Sequence, residues 1–126
     1  MHKDSKGMIA RLWRGTARPD AAAAYLRHLE EDTLPQLRRL DGFMGASVLQ
    51  RPAAGGVEFV VITRWASMEA IRAFAGADPE RAVVPEAAQR LMVSYDETVE
   101  HFELTVYAGA SEGAHLSKSI GRTSRK

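Results

Sequence analysis

Two short clusters in this chain carry side chains suited to chemistry. His101 and Glu103 stand two residues apart in Thr98 to Val106, where Phe102, Leu104 and Val106 alternate with Val99, His101 and Glu103. In an extended strand that alternation puts His101 and Glu103 on one face. An imidazole changes charge near neutral pH, so such a pair can take a proton from a phenol while the carboxylate holds the ring. The same pair is equally a structural hydrogen bond. Arg11 and Trp13 share a face of Met8 to Gly15 in the same way. A guanidinium there can stabilise a phenolate or enolate, or simply tie strands together by pairing with Glu103. Trp13, Phe59 and Trp65 offer large apolar surfaces, fit for a core, an interface or the wall of a pocket for an aromatic ligand. On this reading His101 and Arg11 are the candidate catalytic residues, and Trp13, Phe59, Trp65 and Glu103 are the candidate substrate-binding residues.

Other chemistries find no support. The chain has no cysteine, which removes disulfides, thiolate metal sites and a cysteine nucleophile. It has no His-x-x-x-His pair, and Glu30-Glu31-Asp32 spreads its carboxylates around a helix, so neither a metal nor a cofactor is expected. The glycines never form a phosphate loop with its lysine, and Ser47, Ser67 and Ser94 lack the spacing of a nucleophile elbow. His28, among Arg27, Glu30 and Glu31, reads as a solvated helix-face residue, and His2 and His115 fall in the terminal segments. Residues 8–107 contain 11 Lys+Arg and 14 Asp+Glu, a mildly acidic body, while residues 108–126 are basic. A nucleic-acid module concentrates its cations on the folded body, so no nucleic-acid partner is expected. The longest apolar runs, such as residues 21–26, fall far short of the ~20 residues of a membrane helix. The opening residues are polar and resemble no secretory leader, which points to a cytoplasmic protein without a membrane partner.

The elements that must position these side chains follow from periodicity and breakers. With 126 residues the chain suits one domain. Residues 1–7 are expected to be a flexible N-terminus, 8–107 the folded domain and 108–126 a flexible basic tail. Met8 to Gly15 reads as a strand with both faces largely apolar. Pro19 and Asp20 open a helix carrying Ala21, Ala24, Tyr25, Leu29, Leu37 and Leu40, with a kink expected at Leu34-Pro35 and a stop at Asp41-Gly42. Phe43 to Arg51 and Val57 to Trp65 form a hairpin around a loop of Pro, Ala and Gly. Ser67 caps a second helix that ends at Gly76. Short helical pieces are expected at residues 81–84 and 86–92, before the final strand.

Strand, helix, strand, strand, helix, strand is the split βαβ order, an α+β ferredoxin-like fold with a four-stranded antiparallel sheet and both helices on one face. Val57, Phe59, Val61 and Trp65 are assigned to the uncovered face, together with His101. A wet apolar patch of that kind is covered best by a second copy, which predicts a homodimer. In order and separation, Met8-Ile9-Ala10-Arg11-Leu12-Trp13-Arg14-Gly15, the stretch from Trp65 to Gly76, and Val99-Glu100-His101-Phe102-Glu103 resemble the antibiotic biosynthesis monooxygenase family, whose members are dimeric α+β barrels. The resemblance covers roughly residues 8–107. It implies a barrel cavity for a small hydrophobic or aromatic molecule, with Trp65 as a cavity tryptophan. Members include cofactor-free quinone-forming monooxygenases and haem-degrading enzymes. The companion asparagine of that tryptophan has no counterpart, because the chain contains no asparagine, and residues 66–100 offer no histidine for haem iron. The resemblance therefore implies a cofactor-independent monooxygenase, an oxidoreductase, with a non-catalytic homodimeric small-molecule-binding protein as the alternative.

Overall fold

The structure, a computed structural model, describes residues 8–109; the expectations for residues 1–7 and for the tail beyond 109 lie outside them. Strand β1 spans Ile9–Ala17, two residues longer at its end than its alternation suggested. A 3₁₀ turn at Pro19–Ala21 leads into α1 (Ala22–His28), a widened π turn at Leu29–Thr33 and α2 (Leu34–Leu37). The expected kink thus takes the form of a π turn immediately before Pro35. Proline offers no N–H, and in a regular helix its ring would strike the carbonyl four residues back. Widening the preceding turn relieves that clash, and the Leu34 N–H reaches the Leu29 carbonyl instead. Gly42, at φ +87°, ends the segment in a conformation open to glycine.

Strands β2 (Phe43–Ala53) and β3 (Gly56–Trp65) form the hairpin. Helix α3 (Met68–Ala75) starts where Ser67 Oγ accepts from the Ala70 N–H at 3.1 Å and stops at Gly76. Only α4 (Glu86–Gln89) is helical in the next stretch. Residues 81–84 form no helix, and Arg81 is bridged to Thr98, because Pro85 and the β-branched pair Val83-Val84 oppose a helix there. The final strand is shorter than expected, and Met92 belongs to a strand of its own: β4 is Met92–Tyr95 and β5 is Glu100–Glu103. The sheet runs β2-β3-β1-β4, with β5 also on β1. All pairings are antiparallel, and the fourth position is shared: β4 takes Gly15 to Ala17 and β5 takes Ile9 to Leu12.

The register settles which face is covered, and it reverses the expected assignment. Ala17, Phe59 and Trp65 are buried beneath the chain's own helices, Phe59 against Tyr25 and Leu29 and Trp65 against Leu37 and Ile71. Val57 and Val61 pack onto the first of these clusters. His101 stands opposite Arg11 in the ladder and so belongs to this helix-covered face too. The open face instead carries Ala10, Leu12, Leu49, Val60, Ile62 and Phe102, with Leu12 paired to Ile62 and Ala10 to Phe102. Both faces are apolar, and alternation says which residues travel together without saying which set the helices take. The aromatic set fills the deeper space under the helices. The largely aliphatic set remains outside, framed by the ion pairs Arg14–Glu100 and Arg51–Glu58.

Candidate functional site

Between the helix-covered sheet face and the first helical segment lies a cavity of about 550 Å³. Its floor is Arg11, Trp13, Val61 and Thr63 from β1 and β3. Tyr25, His28 and Leu29 form one side, Ala73 and Phe74 of α3 another, and Val83, Val84, Ala88 and Val99 close it. Asp32, Thr33, Gln36 and Arg39 make the rim more polar. Gln36 Nε2 donates to Asp32 Oδ1 at 2.8 Å, which fixes one part of that rim.

Aromatic packing shapes the walls. Trp13 and Tyr25 meet at 6.2 Å, and Tyr25 stands edge-on to Phe59 at 4.9 Å. The Trp13 indole N–H donates to the Asp96 carbonyl at 2.8 Å, pinning the ring over Gly15, where an added Cβ would lie 2.4 Å from the indole. Burial pushes the Tyr25 phenol well above its ordinary range, so it stays a neutral hydroxyl. Trp65 and Phe59 do not line the cavity; they stand one layer behind it. Trp65 stacks on Phe74 at 5.4 Å and donates to Thr63 Oγ1 at 2.8 Å, and both partners are wall residues.

Arg11 is the charged residue of the floor and is only 4 % exposed. It donates to the carbonyls of Pro79 and Arg81 (2.9 Å), shares Nη1 with His101 Nε2 at 3.0 Å, and lies 5.7 Å from the Phe74 ring centre. Burial lowers its pKa to about 10. A guanidinium only donates, so His101 Nε2 is the acceptor and its proton sits on Nδ1. Burial first, and then the charge of Arg11, holds the His101 pKa below the ordinary histidine value, with Glu80 opposing. His101 and Glu103 are therefore not brought to the cavity wall. His101 meets Arg11, while Glu103 is exposed, opposite Ile9 at the end of β5, and forms no ion pair with Arg11.

Of the expected site residues, Arg11 and Trp13 meet in the cavity. Tyr25, Phe74 and His28 are the additions. His28 is not a solvated helix-face residue: its side chain is 14 % exposed, it stacks on Tyr25, and Nδ1 lies 3.9 Å from Asp32 Oδ2. Its Nε2 is buried with no hydrogen-bond partner among the described residues. The spacing Tyr25, His28, Asp32 follows one helix face and was the signal available in the sequence. The charged neighbours Arg27, Glu30 and Glu31 masked it.

The family model for antibiotic biosynthesis monooxygenases matches residues 8–86. No curated protein matches the chain. Among solved structures, the chain is similar to a monooxygenase of Streptomyces coelicolor in complex with the ligand nanaomycin D, at 21% identity and a TM-score of 0.56, covering 85% of this chain and 95% of that one. It is similar to SnoaB, a cofactor-independent oxygenase of Streptomyces nogalater, at 20% identity and a TM-score of 0.52, covering 84% and 99%. It is also similar to a heme-degrading protein of Mycobacterium tuberculosis, at 21% identity and a TM-score of 0.53, covering 82% and 99%. These likenesses show a shared fold that serves more than one chemistry. Spanned by the family model from the first strand through Glu86, and built on the same split α+β sheet, the chain belongs to the antibiotic biosynthesis monooxygenase family.

Proposed function

We propose that this protein is a cofactor-independent monooxygenase that acts on a small aromatic or hydrophobic molecule in the cavity beneath its helices. The observation that carries the reading is the cavity itself: about 550 Å³, walled by Trp13, Tyr25 and Phe74, with one buried cation on its floor. That volume suits a small multi-ring ligand. The chain's likeness in fold to SnoaB supports this reading. On this reading a phenol loses its proton and the anion passes one electron to O₂. The aryloxyl radical and superoxide combine at a ring carbon, the peroxide takes back the proton, and loss of water from the hydroperoxide leaves a quinone, so that one O₂ is consumed and one water released. The protein then supplies a dry, shaped space and charge placement rather than an electron carrier. Arg11, already on the cavity floor, is better placed to face the substrate than His101.

The functional unit in this proposal is a homodimer joined through the open sheet face of Leu12, Val60 and Ile62. The test is O₂ uptake with 1-naphthols, with added metal and flavin absent. One O₂ consumed per quinone formed, with no hydrogen peroxide released, supports the reading. Tight binding of such compounds with no O₂ uptake assigns the chain to the non-catalytic alternative, a small-molecule-binding dimer.

A further inference from the structure

We propose that the cavity floor at Arg11 is a binding fork for a carboxylate borne on an aromatic ring. This rests on the reading that the cavity takes an aromatic ligand, and it names the class.

A guanidinium carries five N–H donors in one plane. In Arg11 both Nη1 hydrogens are used, by the Pro79 carbonyl and His101 Nε2, and one Nη2 hydrogen goes to the Arg81 carbonyl. The Nε–H and the second Nη2–H have no partner among the described residues. Nε and Nη2 share an edge of the group, the edge that meets two oxygens side-on. The residue is more than nine-tenths buried and lines the cavity.

Charge accounting points the same way. A buried cation is ordinarily paired, because its desolvation is costly. Among the described residues no carboxylate stands within ion-pair distance of Arg11. Two carbonyls, a neutral imidazole and the face of Phe74 hold it in place without cancelling its charge. Glu80, whose charge reaches His101, makes no ion pair with Arg11, and the cavity is the place from which a paired anion would come. Trp13, next along the same strand face, and Phe74 against the guanidinium would then flank the ring that carries it.

The experiment compares 2-naphthoate with 2-naphthamide, which have the same ring and nearly the same shape, on the full chain at about pH 8, where histidine is neutral. Binding is followed by calorimetry, and the Arg11 Nε–H resonance by NMR. The expected result is naphthoate bound at least roughly tenfold more tightly, as a charge-assisted fork requires. Its addition should shift the Arg11 Nε–H signal where naphthamide does not. The preference should vanish in Arg11→Met and be reduced in Arg11→Lys, which keeps the charge without the fork. Equal affinities for the two probes would overturn the carboxylate fork and leave the aromatic cavity standing. Binding of neither would overturn both. A preference undiminished in Arg11→Met, or naphthoate binding that leaves the Nε–H signal unmoved, would also overturn it. The NMR arm needs no variant, so a poorly folding Arg11→Met does not remove the test.

Discussion

Placing aspartate at Ile62 should break the proposed homodimer into monomers while leaving the protomer folded. Ile62 lies on a central strand, paired with Leu12 on one side and Ser47 on the other, in the middle of the open aliphatic face. It is half-buried within one protomer, so docking a second copy would gain roughly 1 kcal/mol from the remaining surface of this side chain. A carboxylate there forfeits that and must be desolvated, which adds at least about 2 kcal/mol even after relaxation. A two-fold interface carries every substitution twice, so the total reaches about 6 kcal/mol, or roughly four orders of magnitude in the dissociation constant. Sedimentation velocity at micromolar concentration should show the wild type as a dimer and Ile62→Asp as a monomer. Ile62→Thr, β-branched and uncharged, should weaken the dimer far less. Circular dichroism checks that Ile62→Asp is folded, since Ile62 lies on the sheet face that the described helices leave open. A wild type that sediments as a monomer, or a folded Ile62→Asp that stays dimeric, would refute both the interface and the reasoning behind it.

Removing the cap of α3 with Ser67→Ala should cost about 1 kcal/mol and lower the melting temperature by roughly 4–8 °C, measured by thermal denaturation. The His101 pKa is lower in the folded chain than in the unfolded one, so the unfolded state binds more protons in acid. Its contribution to stability should be complete above about pH 6.5 and should decline as the pH falls toward the folded pKa. Urea midpoints measured across that range should show this slope flattened in His101→Gln. Gly15→Ala sets a Cβ where the Trp13 indole lies and should cost about 1–3 kcal/mol, with a change in tryptophan fluorescence as the ring leaves the Asp96 carbonyl.

The parts of the fold legible in the sequence are those with local causes. Ser67 and Gly76 bracket α3 because a hydroxyl cap and a positive-φ residue act within one turn. The hairpin announces itself through its glycines. Met92 to Tyr95 was missed because four residues are too few to show a period, and it is the edge of β1 that makes them a strand. The facing of the sheet was missed for a related reason, since helix packing is decided by volume across the whole face. In the site, Arg11 and Trp13 were legible as a pair on one strand face. Their company was not, because Tyr25, His28 and Phe74 come from helices whose approach depends on how both pack. His101 was visible as a chemical group, but its partner lies 90 residues away.

The widened turn at Leu29–Thr33 has a consequence for how this helical segment can change in length. Leu29 and Leu37 are both buried toward the sheet, although they are eight residues apart. At about 100° per residue an unbroken α-helix would leave them about 80° out of phase, whereas seven residues would align them to within about 20°. The π turn absorbs the eighth residue, so the chain carries a spare residue that adds length without changing direction. Pro35 is the counterpart of that spare residue, since a regular helix through it would meet the proline's clash and missing donor. Deleting Glu31 alone should therefore cost about 3 kcal/mol, while deleting it together with Pro35→Ala should leave Leu37 in place under Trp65 and cost little. Insertions and deletions tolerated at this point should thus be coupled to the presence or absence of the proline four residues downstream.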